Sequence, residues 1–310
     1  MAESQLSTEQ QLSSIWRLGG LKPRQLVKNV WSEIDHDDVL GRSSELAYNF
    51  LLAVFPLLLC VLALLGIFAS AGGQLRDALF SSLSTALPGS AAQLIAKTVN
   101  EVTTNSGGGK LTFGLVFALW AASGGMTTMI STLNGAYHVR ESRSWVKVRA
   151  IALGLTVAVA LLVVAALGIV LVGGHAAEAA GSRLALGSAT VLIWKILQWP
   201  LALFFVTLSF SLIYYYGPDL KEQHWYWVTP GSIIGVVLWL VASLVFRGYL
   251  HFFNTYSKTY GSLGAVIILV VWFYVTGLAF LVGGEMNSEI EHAAARRGHP
   301  EAKEEGQKAA

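Results

Sequence analysis

Apolar and polar positions alternate along this chain in long blocks. Six stretches contain no Asp, Glu, Lys or Arg: Leu46–Leu75, Leu111–Val139, Ala150–Ala177, Ile196–Pro218, Gln223–Phe246 and Thr259–Gly284. Crossing the hydrocarbon core of a bilayer takes about 20 predominantly apolar residues in a helix, and each stretch is longer than that. Continuous apolar runs without strict alternation exclude a transmembrane β-barrel. Lipid leaves the helix as the remaining way to satisfy the backbone. The pattern therefore predicts an all-α polytopic membrane protein with six transmembrane helices.

The blocks differ in detail. Pro23 is suited to open a helix, and Leu26, Val27, Val30, Trp31 and Ile34 then recur on one side, which predicts an interfacial helix on the cytoplasmic leaflet. Asp35-His36-Asp37-Asp38 ends that pattern and leads into span 1, roughly Ser44–Ser70, which contains Pro56. Residues 74–105 read as a short exterior helical segment broken at Pro88-Gly89. Span 2, roughly Leu111–Tyr137, carries Ser123, Thr127, Ser131 and Asn134 on one predicted face and Gly124, Thr128, Thr132 and Gly135 beside it. Such a surface gains nothing from lipid, so this span is assigned to the bundle interior. Spans 3 to 6 run over about Arg149–Val172, Leu192–Tyr216, Val228–Leu250 and Gly261–Ile290. Clusters such as Tyr214-Tyr215-Tyr216 and Trp225-Tyr226-Trp227 read as aromatic belts at the membrane boundary. The expected organisation is a polar tail with the interfacial helix over 1–44, a six-helix domain over 45–290 and a polar tail over 291–310.

Composition agrees with this picture: 54% of residues are hydrophobic and 13% charged, where a soluble domain has about 25% charged residues. The single cysteine, Cys60, lies in span 1, so no intrachain disulfide forms. The distribution of Lys and Arg gives orientation. Five lie in the N-terminal tail, four in the 140–149 loop, one in the 217–227 loop and four in the C-terminal tail, against five in the alternate segments. By the positive-inside rule both termini are cytoplasmic.

Several segments together resemble the YihY/BrkB family of bacterial inner-membrane proteins. They are Glu45-Leu46-Ala47-Tyr48-Asn49-Phe50 with its continuation to Pro56, Leu133-Asn134-Gly135-Ala136-Tyr137, Pro230-Gly231-Ser232, Tyr260-Gly261-Ser262-Leu263-Gly264, and Gly283-Gly284-Glu285-Met286-Asn287. The resemblance covers about residues 25–290. It implies a six-span bundle in the bacterial cytoplasmic membrane with cytoplasmic termini. It also brings labels ranging from ribonuclease BN to virulence factor to transporter of envelope lipids.

The residues argue against the first label. Metal-dependent nucleases hold their ions in a tight cluster of His and Asp or Glu. Here His36, His138, His175, His224, His251, His292 and His299 are scattered, and the dense Asp35–Asp38 run is read as the end of the interfacial helix. No basic stripe interleaved with aromatics offers a nucleic-acid surface, and no phosphate-binding G-x-x-x-x-G-K-[ST] segment is present. The expectation is a protein without catalytic, metal or cofactor residues, whose partners are membrane lipids and a solute or lipid cargo.

Polar groups inside a membrane are the default functional candidates. Those marking a transport path or bundle interior are Asn49, Pro56, Ser123, Thr127, Ser131, Asn134, Arg247, Asn254 and Glu285. Glu285 is expected to pair with Arg140 or Arg143. Arg247 and Lys195 read as snorkelling cations at the outer boundary, or as a headgroup site with His251 and Asn254. Two functions from different classes follow: a transporter or lipid-handling protein with no ATPase of its own, and a non-transporting scaffold that organises envelope proteins.

Overall fold

A computed structural model describes residues 16–70, 108–183, 188–220, 228–252 and 262–296. Among them, every long element is an α-helix: α1 Pro23–His36, α2 Val39–Ser70, α3 Gly108–Ala136, α4 Trp145–Arg183, α5 Ser188–Tyr216, α6 Pro230–Phe252 and α7 Ser262–Ala295, with a 3-10 turn at Leu18–Gly20 ahead of them. Five of these contain stretches long and apolar enough to cross a membrane: Val116–Ala136, Trp145–Val170, Val191–Tyr216, Pro230–Leu250 and Val266–Ala295. The expected first span falls in α2, whose 32 residues extend over about 48 Å at the helical rise. The predicted exterior segment lies outside the described residues.

The helix ends follow from local chemistry. Pro23 occupies the first turn of α1 behind an extended Lys22, where its missing N–H costs nothing. The acidic run does end α1, and Asp38 then starts α2. Its backbone turns to φ 49°, and its Oδ1 accepts the Gly41 amide at 3.2 Å, the bond of an N-cap. At α6, Thr229 and Ser232 cap each other reciprocally. Thr229 Oγ1 accepts the Ser232 amide at 3.1 Å and Ser232 Oγ accepts the Thr229 amide at 3.0 Å, a capping box around Pro230.

The chain packs as two compact units. The first comprises residues up to Leu52, Gly124–Leu155 and Phe210 onward; the second comprises Ala53–Ser123 and Thr156–Ser209. In the first unit α6 and α7 pack antiparallel, and small residues set their distance. A side chain on Gly231 would run into the Gly283 carbonyl and the Asn287 amide, and one on Gly283 would meet the Tyr214 hydroxyl. Gly231 and Gly235 are four apart, the spacing that lets two helix backbones approach in a membrane. Further along, Trp239 and Trp272 meet edge to face with ring centroids 6.4 Å apart. The Tyr214 hydroxyl donates to the Phe280 carbonyl at 2.6 Å.

Helix α1 lies against the last turns of α7. Leu26 and Val30 are buried with Met286 and Ile290, flanked by Leu18, Leu21, Ile34, Ile234 and Val282. Gly19 makes the approach possible. It adopts φ 57°, and a Cβ there would strike the Ile290 carbonyl. Val27 and Trp31 remain 63% and 75% exposed. The apolar surface of α1 is therefore split: one stripe packs on protein and the other is exposed.

In the second unit α4 and α5 turn large apolar side chains outward, among them Leu161, Leu167, Ile193, Ile196 and Trp199. An exposed apolar surface of this kind suits lipid and not water.

Candidate functional site

The predicted interior face of α3 divides for a geometric reason. Four residues advance a helix by slightly more than a full turn, an overshoot of about 40°, so a face stepped at i, i+4 and i+8 drifts sideways. Ser123 is buried, Thr127 is half-buried and Ser131 is exposed, while Asn134, three residues on, returns to a buried position. Ser131 is thus not an interior residue of the chain. The hydroxyls that are buried bond within their own helix: Ser123 donates to the Trp120 carbonyl at 2.7 Å, and Thr132 to those of Thr128 and Met129 at 3.0 Å each. Thr127 Oγ1 accepts from Arg149 at 3.2 Å.

The other candidates also find local roles. Asn49 donates to the Glu45 carbonyl one turn back at 2.9 Å. Pro56 lies within α2, half-buried. Arg247 is exposed on α6, so it too lies off the interior. Asn254 falls outside the described residues.

Asn134 is a junction. Its amide donates to Glu141 Oε2 at 2.9 Å, and its carbonyl accepts the Asp219 backbone N–H at 2.8 Å. Asp219 Oδ2 in turn takes the Ser142 amide at 2.8 Å and its hydroxyl at 2.5 Å. Arg143 completes this knot, 2.7 Å from Glu141 and 3.5 Å from Asp219, while donating to the carbonyls of Tyr216 and Gly217. Burial alone would raise the Glu141 carboxyl, but hydrogen bonds from Arg143 and Asn134 outweigh it and hold Glu141 below its ordinary value. The expected Glu285–Arg143 pair does not form: Arg143 is taken by carboxylates on its own loop and on the loop after α5. Arg140, the other expected partner, is exposed.

Glu285 instead belongs to a buried polar stripe on α7. Glu285, Glu289 and His292 step by four and three residues onto one face, and all are buried with Ser288. Asn29 of α1 donates to Glu289 Oε2 at 2.9 Å, and Arg296 stands 3.9 Å from the same oxygen. Glu33, Asp37, Glu289 and Arg42 lie within Coulombic reach of Glu285.

Facing this stripe is a cluster that sequence separation conceals. Residue His138, at φ 52° just past α3, brings Nε2 to 3.1 Å from Asp37 Oδ1 and 3.8 Å from Glu33 Oε2. His36 Nδ1 lies 3.2 Å and 3.7 Å from the same two oxygens. The His138 ring also stacks on that of His292, centroids 6.0 Å apart. Three histidines that are scattered in the sequence thus meet at one end of the first unit. Burial and then the charges of Glu289 and Asp37 push the Glu33 carboxyl above its ordinary value, against the pull of His138 and His36. One signal was available for part of this layer: the 4-3 spacing of Glu285, Glu289 and His292 after an uncharged run.

An apolar cleft of about 400 Å³ lies toward the other end of the α6–α7 pair, lined by Val245, Phe246 and Tyr249 of α6 and Ile267, Val271 and Val275 of α7. Its volume is within the usual range of small-molecule pockets, about 300–1,000 Å³.

Helices long and apolar enough to cross a membrane, with apolar side chains turned outward among the described residues, define a multi-pass integral membrane protein. Comparison with known proteins agrees. The family model described as Virulence factor BrkB matches residues 30–307, and the chain belongs to this family, the YihY/BrkB family. It is 31% identical to a Bacillus subtilis protein named putative ribonuclease-like protein YfkH, over 84% of this chain and 94% of that one. A UPF0761 membrane protein of Idiomarina loihiensis is 28% identical, over 73% and 76% of the two chains. Another, from Vibrio vulnificus, is 26% identical over 85% and 82%. No solved structure matches the chain.

Proposed function

We propose that this protein is a non-enzymatic lipid-handling transporter of the bacterial inner membrane, which seats an acyl chain in the cleft between α6 and α7. The reading includes six spans, α2 supplying the first, with both termini in the cytoplasm. The observation that carries it is the cleft itself. Its walls are apolar on both helices, and a concavity in a membrane helix pair loses dispersion contacts unless a chain fills it. Arg247 directly follows Phe246 and is exposed, a suitable cation for a phosphate headgroup.

The Bacillus relative's ribonuclease-like name suggests another reading for this chain. The sequence offers no basic, aromatic-laced surface to support it. The buried hydroxyls of α3 support packing over a polar conduit, since they bond to their own helix.

The test is lipid retention. Native mass spectrometry of protein extracted in mild detergent is expected to show phospholipid bound to the wild type. Val271→Trp, which fills the cleft, is expected to abolish that retention, and Arg247→Gln to lower it for anionic lipids selectively. Equal retention by wild type and Val271→Trp would overturn the proposal.

A further inference from the structure

The cluster at the α1–α2 corner has the geometry of a metal site. Asp37 Oδ1 stands 3.2 Å from His36 Nδ1 and 3.1 Å from His138 Nε2. Glu33 Oε2 stands 3.7 Å and 3.8 Å from the same nitrogens. One ligand atom from each of the four residues lies within 4.8 Å of all the others. Zinc bonds to imidazole nitrogen and carboxylate oxygen measure about 2.0–2.2 Å, which separates neighbouring corners of a tetrahedron by about 3.3–3.6 Å. The four measured separations straddle that range.

A second observation points to a cation. The Asp37 side chain is only 7% exposed, and its Oδ2 has no hydrogen-bond partner among the described residues. A buried carboxylate oxygen left without a partner is costly. Arg42 Nε donates to the Asp37 main-chain carbonyl at 2.7 Å, not to this oxygen. Glu289 adds a further negative charge close to Glu33. Access comes through His36, whose side chain is 73% exposed.

We propose that Glu33, His36, Asp37 and His138 bind one divalent transition-metal ion, with zinc the best fit to two imidazoles and two carboxylates. Imidazole ligands favour such ions over Mg²⁺ or Ca²⁺, which prefer oxygen donors alone. Four protein ligands complete a tetrahedron and leave no open position, which marks a structural and not a catalytic zinc. The ion would staple the end of α1 to the end of α3, two segments 101 residues apart.

The experiment uses the full chain, purified in detergent without a histidine tag, stripped with EDTA and titrated with ZnCl₂ at pH 7.5. Calorimetry and elemental analysis are expected to give one zinc per chain, with a rise in melting temperature that MgCl₂ does not reproduce. His36→Asn, at a mostly exposed position, is expected to fold and to bind zinc at least about tenfold more weakly, as is Glu33→Gln. His299→Asn should bind like the wild type. Failure of the wild type to hold stoichiometric zinc, or unchanged affinity in both ligand variants, would overturn the proposal and leave direct imidazole–carboxylate pairing among these four residues. Neither outcome depends on lipid retention by the α6–α7 cleft.

Discussion

Asn287 Oδ1 accepts the backbone amide of Gly231 at 2.9 Å while its Nδ2 donates to Thr229 Oγ1 at 3.0 Å, so one side chain of α7 anchors the whole start of α6. That amide is among the first-turn donors of α6, which have no partner within their own helix. Asn287→Leu is expected to cost about 1–3 kcal/mol through the donor left buried. Gly231→Val should cost at least as much, because its side chain would enter the space of the Gly283 carbonyl. Lowered melting temperatures in detergent, with helical circular dichroism retained below the transition, would confirm both; unchanged melting would show that this crossing does not hold the pair.

Asn134 makes a different prediction than a residue of a transport path would. Its partners are Glu141 and the Asp219 amide, so Asn134→Leu should loosen the loops after α3 and α5 before it affects any cargo. The expected cost is about 1–3 kcal/mol for each buried group left unpaired. Limited proteolysis of the 138–144 loop should accelerate in the variant. Asn49→Leu removes only a bond to its own helix and is expected to fall within about 0.5 kcal/mol of wild type.

The acid side of the stability curve should carry the signature of Glu141. A carboxyl whose folded pKa lies below its unfolded value contributes stability at neutral pH, and that contribution disappears as pH falls through the folded value. Hydrogen bonds to Arg143 and Asn134 produce this depression in Glu141. Melting temperatures measured from pH 7 down to pH 3 should therefore fall more steeply in wild type than in Glu141→Gln. Parallel curves would place the acid sensitivity elsewhere.

The sequence made the helices legible because uncharged runs have few alternatives in lipid, while the reciprocal cap of Thr229 and Ser232 at the start of α6 emerged only from the structure. The layer of ionisable groups was less legible. His138 and Asp37 are 101 residues apart, and only the turn after α3 brings them together. The expected Glu285–Arg143 pair failed for a related reason. Glu141, two residues from Arg143, offers a bidentate carboxylate at little entropic cost, and Asp219 arrives from another loop that sequence spacing does not reveal. On α3, a repeat of four drifts by about 80° after two steps, which is why Ser131 is exposed, while Asn134, eleven residues from Ser123, returns to the buried side.

Orientation rests on the charge distribution and is open to direct test. Fourteen Lys and Arg lie in the segments assigned to the cytoplasm and five in the alternate ones. Reporter fusions after Ala310 and within residues 174–189 should therefore report opposite sides of the membrane. Finding both on one side would refute the arrangement.

Helix α1 supplies the sharpest contrast between packed and exposed apolar positions. The single apolar side expected from its sequence divides on packing: Leu26 and Val30 sit among Met286 and Ile290, while Val27 and Trp31 stand exposed. Leu26→Ala should cost about 2–5 kcal/mol, since it opens a cavity against α7. Val27→Ala touches no such core and should stay within about 0.5 kcal/mol. Trp31 predicts a separate effect. An exposed indole beside a bilayer favours the headgroup region, so Trp31→Glu should leave the detergent melting temperature nearly unchanged. Indole fluorescence provides the measurement: brominated-lipid quenching in proteoliposomes should fall in Trp31→Ala relative to wild type. Equal quenching would mean that α1 stands clear of the lipid, held to the protein by its buried stripe alone.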